Sequence, residues 1–298
     1  MESSVERALR EHIMAWVGQR AERNGGFLHR DELLGFQLGG ERMPIIDIAR
    51  GIRNPHAFGS TLSIVASADG PYDDMESSDG FLHYAYEKGD ADGGANRKLR
   101  NAITTSQPLL LFRKEIKNIY MPVFPVYVVG DRPQERAFRI ALDESFTWLP
   151  DLDRLSEPQR AYAHRLVKQR LHQPAFRTRV LVAYQRQCSI CQLKHASLLD
   201  AAHIIPDSHS HGIPTVNNGV SLCKIHHAAY DQDMLGLDAD YRVHVNKKLL
   251  TDKDGPMLKH GLQEMHGRQL WIPANKKEQP DRDYLRERYQ AFVERNAS

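Results

Sequence analysis

Cysteine is scarce here, with three in 298 residues. An odd and low count makes a poor disulfide framework, which argues against a secreted, cross-linked scaffold. No run approaches the roughly 18 consecutive apolar residues of a membrane helix, and mean hydropathy is −0.54. The opening MESSVE lacks a basic stretch followed by an apolar core, so no secretory signal is expected and the chain reads as cytoplasmic. A large excess of one charge is missing too. Lys plus Arg total 40 against 38 Asp plus Glu, a net +2 with a pI near 8.4. That total alone does not point to a polyanion. No internal repeat and no low-complexity tract is visible. What is present is an ordinary globular composition, 41% hydrophobic and 26% charged, at a length that suits two domains of about 150 residues.

Along the chain the hydrophobic period changes. Residues 1–35 read as largely helical, because Val5, Ala8, Leu9, Ile13, Trp16 and Val17 recur at three- and four-residue spacing. Asn24-Gly25-Gly26 signals a turn. From 58 to 148 the pattern becomes short strands at 61–66, 81–86, 109–112, 120–130 and 137–142, which suggests a compact β-barrel or sandwich. Pro122 and Pro125 within YMPVFPVYVVG predict an edge or a bulge. The polar stretch 87–94 reads as a loop, and 96–102 as a short helix. Residues 150–187 read as a helical connector carrying seven Lys or Arg between Arg160 and Arg186 and no Asp or Glu. A charge run is usually a solvated face, but this one leads into a cysteine cluster, which favours contact with a phosphate backbone through Arg165, Arg170, Arg177 and Arg179. A strand is expected at 241–245 and a last helix at 282–296, with Tyr284, Leu285, Tyr289, Phe292 and Val293 on one stripe.

The cysteines concentrate the chemistry. Residues 188–231 read CSICQLKHASLLDAAHIIPDSHSHGIPTVNNGVSLCKIHHAAYD. Cys188 and Cys191 have the gap of a zinc knuckle, and Cys223 with His226 forms a second pair. If the second pair opens a helix, its members share a face and can bind one ion. Together they make a closed Cys₃His set for a structural Zn²⁺. His227 points about 100° away from His226 around a helix and so belongs to a different site. His203 is its natural partner, in the strand-like run before Pro206.

These residues resemble the HNH nucleases: a strand ending in Ala-His-Ile, a loop with Asn-Gly, then Leu-Cys and a His-His pair at a helix start. The resemblance covers roughly 175–250 and implies a ββα-metal module. It implies His203 as general base, Asn218 as the residue that braces the hairpin loop, and His227 as a ligand of a catalytic Mg²⁺ or Mn²⁺. One position departs from it. Many HNH proteins carry an Asp ligand immediately before the base, where this chain has Ala202, leaving Asp200, Asp207 or Asp231 to supply a carboxylate.

The first half resembles a narrower group, modification-dependent restriction endonucleases with an SRA-like domain of the PUA superfamily ahead of HNH. The carrying residues are GFLHYAY at 80–86, NRKLR at 96–100, PLLLF at 108–112, YMPVFPVYVVGD at 120–131, DAAHIIPDS at 200–208 and GPML at 255–258. Such a domain turns a modified cytosine out of the duplex into an aromatic-lined pocket. The resemblance offers Tyr72, Asp79, Tyr84, Tyr86 and Phe112 as pocket residues, with core packing or a solvated turn the commoner fate of each alone, and Asn96, Arg97 and Arg100 as phosphate clamps or a solvated helix face.

The expected fold is thus α+β, with a helical segment at 1–57, an SRA-like barrel at 58–150, a basic linker at 151–180 and a zinc-stabilised HNH domain at 181–298. The expected activity is divalent-metal hydrolysis of double-stranded DNA bearing 5-methyl- or 5-hydroxymethylcytosine, by a homodimer with one nuclease site per chain. Three alternatives stand beside it. One is a zinc-stabilised DNA reader without catalysis, another is an HNH nuclease triggered by phosphorothioate, by an unmodified sequence or by RNA, and the third is a homing or phage nicking enzyme whose first half serves only sequence recognition.

Overall fold

The computed structural model describes residues 3–67, 80–149 and 151–297. The chain divides into two compact units, residues 1–175 and 176–298. Among the described residues no helix is long and apolar enough to cross a membrane.

Unit 1 opens with α1 (Ser3–Asn24), then β1 (Leu28–His29), α2 (Arg30–Leu34) and a small hairpin of β2 (Gln37–Leu38) and β3 (Glu41–Arg42). It continues through β4 (Ile52–Arg53), β5 (Ser63–Ser67), β6 (Leu82–Ala85), α3 (Gly94–Thr105), β7 (Leu109–Ile116), β8 (Ile119–Arg132) and β9 (Ala137–Ala141). Helix α4 (Glu157–Val167) passes through a π-helical turn at Lys168–His172 into α5 (Gln173–Ala183).

The main sheet has the order β4-β5-β7-β8-β9-β6, with β1 also paired to β8. Among the described residues only β5 and β7 run parallel. The 14-residue β8 pairs with β7 in its first half and with β9 in its second, and register shifts at Val128/Gly130 and along β7 bend it. The result is a curled half-barrel. Among the described residues β4 and β6 stay as edges, so the barrel or sandwich expected here takes the form of a half-barrel with open edges. Pro122 and Pro125 lie where β8 has a strand partner on one side only, between its β1 and β9 pairings, as a residue without an amide hydrogen requires.

The run 109–112 is apolar throughout because both faces of β7 are covered. Leu109 and Leu111 join a core with Leu99 and Ala102 of α3, while Leu110 and Phe112 join Ile13, Met14, Val17 and Ala21 of α1. The buried stripe of α1 differs from the apolar one expected. Val5 is exposed, whereas Glu6 and Arg10 are buried. Arg10 satisfies its guanidinium with Glu6 Oε1 at 2.7 Å, the Ser60 carbonyl at 3.0 Å, and the Thr61 and Pro108 carbonyls at 2.8 Å each.

Unit 2 contains β10 (Leu199–His203), β11 (Gly219–Cys223), α6 (Lys224–Asp231), β12 (Leu235–Leu237), β13 (Val243–Val245), α7 (Lys247–Thr251), α8 (Pro256–Gly261) and α9 (Arg282–Arg295). Strands β10 and β11 form an antiparallel hairpin in which Leu199 faces Cys223 and His203 faces Gly219. Helix α6 follows β11 directly, completing a ββα unit. Val180, Leu181 and Tyr184 of α5 pack in the same core as Leu199, Ala202, Val220 and Leu222 of the hairpin.

Candidate functional site

Two centres are built on this ββα unit. The first is the cysteine cluster. Residue Cys188 enters a tight turn in which its amide bonds the Leu193 carbonyl at 3.0 Å and its carbonyl accepts from Gln192 at 2.9 Å. Cys223 is the N-cap of α6, and His226 stands three residues on. The ligand atoms of Cys188, Cys191, Cys223 and His226 all lie within 4.8 Å of one another. His226 Nδ1 is 3.4 Å from Cys188 Sγ and 3.2 Å from Cys223 Sγ. Tetrahedral zinc, with Zn–S about 2.3 Å and Zn–N about 2.0–2.1 Å, would set such pairs about 3.5 Å apart, so the donors fit that ion.

The outer contacts agree with the inner ones. His226 Nε2 lies 2.8 Å from the Gly261 carbonyl, which can only accept. Nε2 therefore carries the hydrogen and Nδ1 is the atom turned to the thiols, the arrangement a second-shell carbonyl imposes on a ligating histidine. Hydrogen bonds from Cys191 and Cys223 hold the Cys188 thiol below its ordinary range. The thiols that give those bonds are pushed up. Burial opposes charge on His226, yet its bonds to Cys188 and Cys223 and their charge push the imidazolium up to about 10.

The second centre lies at the exposed side of the hairpin. Asn218 is fully buried, and its side chain accepts from the Ile205 amide at 2.9 Å and donates to the Ile205 and Ile213 carbonyls at 3.0 Å each. It ties both ends of the loop between the strands. His203, at the end of β10, is half-buried and stacked on Phe176, with ring centroids 4.0 Å apart and planes at 18°. Gly219 opposite makes room for this stack, because a Cβ there would stand 2.8 Å from Phe176 Cζ and 2.6 Å from Val180 Cγ2. His227, on α6, has Asp200 Oδ2 3.7 Å from Nδ1 and Asp231 Oδ2 3.3 Å from Nε2. Arg177 donates to the Leu199 carbonyl at 2.6 Å and places Nε 3.6 Å from Asp200 Oδ1. Of these donors the carboxylates suit Mg²⁺ or Mn²⁺, and the imidazole nitrogen is the softer one.

Residues 188–238 match the HNH endonuclease family. The HNH segment thus holds both centres' hairpin and helix residues, and the family implies hydrolysis of phosphodiesters by a nuclease with a catalytic metal. Among solved structures, the chain resembles the modification-dependent TagI restriction endonuclease at 16% identity, over 81% of this chain and 85% of that one, with a TM-score of 0.29. It also resembles the Type IV phosphorothioation-dependent restriction endonuclease ScoMcrA at 13% identity, over 85% of this chain and 53% of that one, with a TM-score of 0.23. At such TM-scores neither structure lends a residue role to this chain. No curated protein matches it.

The expected pocket and backbone contacts fare differently from the HNH residues. Tyr72 and Asp79 lie outside the described residues. Phe112 is fully buried beneath α1. The buried Tyr84 hydroxyl lies 3.0 and 3.2 Å from the Gly51 and Val65 carbonyls, and Tyr86 packs on Phe138 with its hydroxyl on Asp131. These three rings are core in this structure and present no open face to a base. Asn96 is buried and holds the 87–94 loop, bonding the Glu87 amide at 2.9 Å and the Glu87 and Asp90 carbonyls at 3.2 and 3.1 Å. Arg100 is bound to Asp131, Tyr86 and the Ala91 carbonyl.

The basic run is likewise divided. Arg170 donates to the carbonyls of Leu142, Phe124 and Pro125, filling the place where β8 lacks a second strand. Arg177 and Arg179 bond the Leu199 and Pro214 carbonyls. Arg97 and Arg165 are exposed. The charge pattern alone hid Phe176 and Arg177 as braces of His203 and Asp200, since a helix face is assigned only by its neighbours.

Proposed function

We propose that this protein is a divalent-metal-dependent deoxyribonuclease that cuts duplex DNA carrying 5-methyl- or 5-hydroxymethylcytosine. The observation that carries the nuclease reading is the hairpin itself. Asn218 clamps its loop, His203 ends one strand half-exposed, and His227 stands at the start of the following helix. His203 is the general base, taking a proton from the attacking water, a task suited to an imidazole near neutral pH. Phe176 fixes the plane of that imidazole. His227 is the ligand of the catalytic ion, and Cys188, Cys191, Cys223 and His226 hold a structural zinc. A bound Mg²⁺ or Mn²⁺ supplies Lewis-acid stabilisation of charge on the phosphate and the leaving 3′ oxygen. The products are a 5′-phosphate and a 3′-hydroxyl.

The trigger rests on the resemblance of residues 58–148 to SRA-like domains. Exposed Arg97 and Arg165 remain suited to the DNA backbone, and a homodimer supplies the two hydrolytic events that two strands require. The deciding experiment cleaves one duplex prepared unmodified, with 5-methylcytosine, with 5-hydroxymethylcytosine and with phosphorothioate, in Mg²⁺, Mn²⁺ or EDTA. Metal-dependent cutting of a modified-cytosine duplex alone supports the whole reading. Equal cutting of all four keeps the nuclease and removes the sensor, and cutting of the phosphorothioate duplex alone changes the trigger. Selective binding without cutting favours a reader that has lost catalysis.

A further inference from the structure

The chain's own geometry answers the question that Ala202 raises, namely which carboxylate joins His227. The answer rests on the reading of His227 as a ligand of a divalent ion. Position 202 is closed to a ligand, because Ala202 is fully buried in the apolar cluster with Val220 and Leu222. Strand residues alternate faces, so the neighbour on the same face is Asp200. Its register partner is Leu222, one residue short of Cys223, where β11 gives way to α6. A carboxylate placed two residues earlier on the strand therefore meets the helix that carries His227.

The two carboxylates at His227 face different ring nitrogens. Asp231 Oδ2 is 3.3 Å from Nε2, an ion-pair contact just beyond a hydrogen bond. Asp200 Oδ2 is 3.7 Å from Nδ1, too far for one. When Nε2 carries the hydrogen toward Asp231, Nδ1 turns a lone pair toward the Asp200 carboxylate. Two electron-pair donors in that relation fit a cation between them, since ligands about 2.1 Å from one Mg²⁺ or Mn²⁺ stand roughly 3–4 Å apart. The second oxygen of Asp200 faces Arg177 Nε at 3.6 Å, and Arg177 is itself anchored on the Leu199 carbonyl at 2.6 Å. A two-residue site of this kind leaves the remaining positions to water and phosphate, as Mg²⁺ sites commonly do.

We propose that Asp200, in place of the residue before His203, completes the divalent-ion site with His227. The Asp231 charge beside Nε2 favours the His227 tautomer that carries its hydrogen there, and Arg177 is the positioning residue for Asp200. The test uses the full, zinc-loaded chain and titrates Mn²⁺, reading free Mn²⁺ by electron paramagnetic resonance, with zinc content and melting as controls. Asp200→Asn and His227→Ala are expected to raise the Mn²⁺ Kd tenfold or more at unchanged zinc content, and Asp231→Asn to raise it less. Wild-type affinity in Asp200→Asn, with the ion lost in His227→Ala, overturns the assignment of Asp200. Wild-type affinity in His227→Ala shows instead that the reading of His227 fails. Asp200→Cys guards against a folding defect in the Asn variant. A ligand role shifts its preference from Mn²⁺ toward Cd²⁺ at least tenfold, and an unchanged preference overturns the proposal.

Discussion

The two units use the same residue types in opposite ways. In unit 2 the buried residues are braces and the proposed reactive groups emerge from them: Phe176 and Asn218 lie inside, His203 and His227 are half-exposed. In unit 1 the aromatic candidates are themselves the interior, with Tyr84, Tyr86 and Phe112 each packed in a core cluster. Spacing explains the difference. Metal ligands must converge within a few ångströms, so Cys-x-x-Cys and Cys-x-x-His constrain geometry from sequence alone. An aromatic on a strand carries no such constraint, and its usual fate is burial.

The largest expected effect tests whether the ligand cluster holds unit 2 together. Structural zinc contributes on the order of 10 kcal/mol of folding free energy in small domains. Cys188→Ser is therefore expected to lose zinc and to abolish the cooperative melting of residues 176–298 while residues 1–175 keep theirs. Full zinc content with a normal melting profile would remove Cys188 from the ligand set. His203→Ala is the complementary change, since it alters chemistry and leaves the fold. General base catalysis is worth about 10²–10⁴-fold, so cleavage is expected to fall by that factor with DNA binding, zinc and melting near wild type. A variant cutting at the wild-type rate contradicts the base assignment.

Legibility in the sequence follows the same division. Strand positions in unit 1 were readable from alternation, and β5, β6, β8 and β9 lie close to where the pattern put them. The open edge of the sheet was not readable, because closure depends on which distant strands meet. Nor was the buried stripe of α1, where the charged pair Glu6 and Arg10 takes places that an apolar pattern assigns elsewhere. In unit 2 the Cys₃His set was legible in full. The contacts that orient it and its neighbour were not, because the Gly261 carbonyl, Phe176 and Arg177 come from segments whose sequence shows only a loop end and a basic helix.

Acid sharpens the comparison in unit 1. Burial raises the pKa of Glu6, but the Gly59 amide at 2.8 Å and the Arg10 guanidinium outweigh it and hold the carboxyl below its ordinary value. A depressed folded pKa means stability that is present above the unfolded value of about 4.3 and lost as pH falls through the folded one. Glu6→Gln is expected to destabilise unit 1 by about 1–3 kcal/mol at pH 7. The gap to wild type should then close as pH drops below about 4. A gap that stays constant from pH 7 to pH 3 contradicts the ionised pair.

The smallest effect separates structural arginines from those free to meet DNA. Each phosphate that a protein no longer neutralises lowers the slope of log K against log salt by about 0.9. Arg97 and Arg165 are exposed, although Arg165 also lies 5.4 Å over the Tyr162 ring. Neutralising both is expected to reduce the slope by about 2 with melting unchanged. Arg170→Ala should do the reverse, because its guanidinium is spent on the carbonyls of Leu142, Phe124 and Pro125. Removing it leaves three acceptors to find water beside β8, so unit 1 should melt lower while the salt slope holds. A lower slope in Arg170→Ala would place this residue on the DNA after all, and an unchanged slope in the Arg97/Arg165 variant would return both side chains to an ordinary solvated surface.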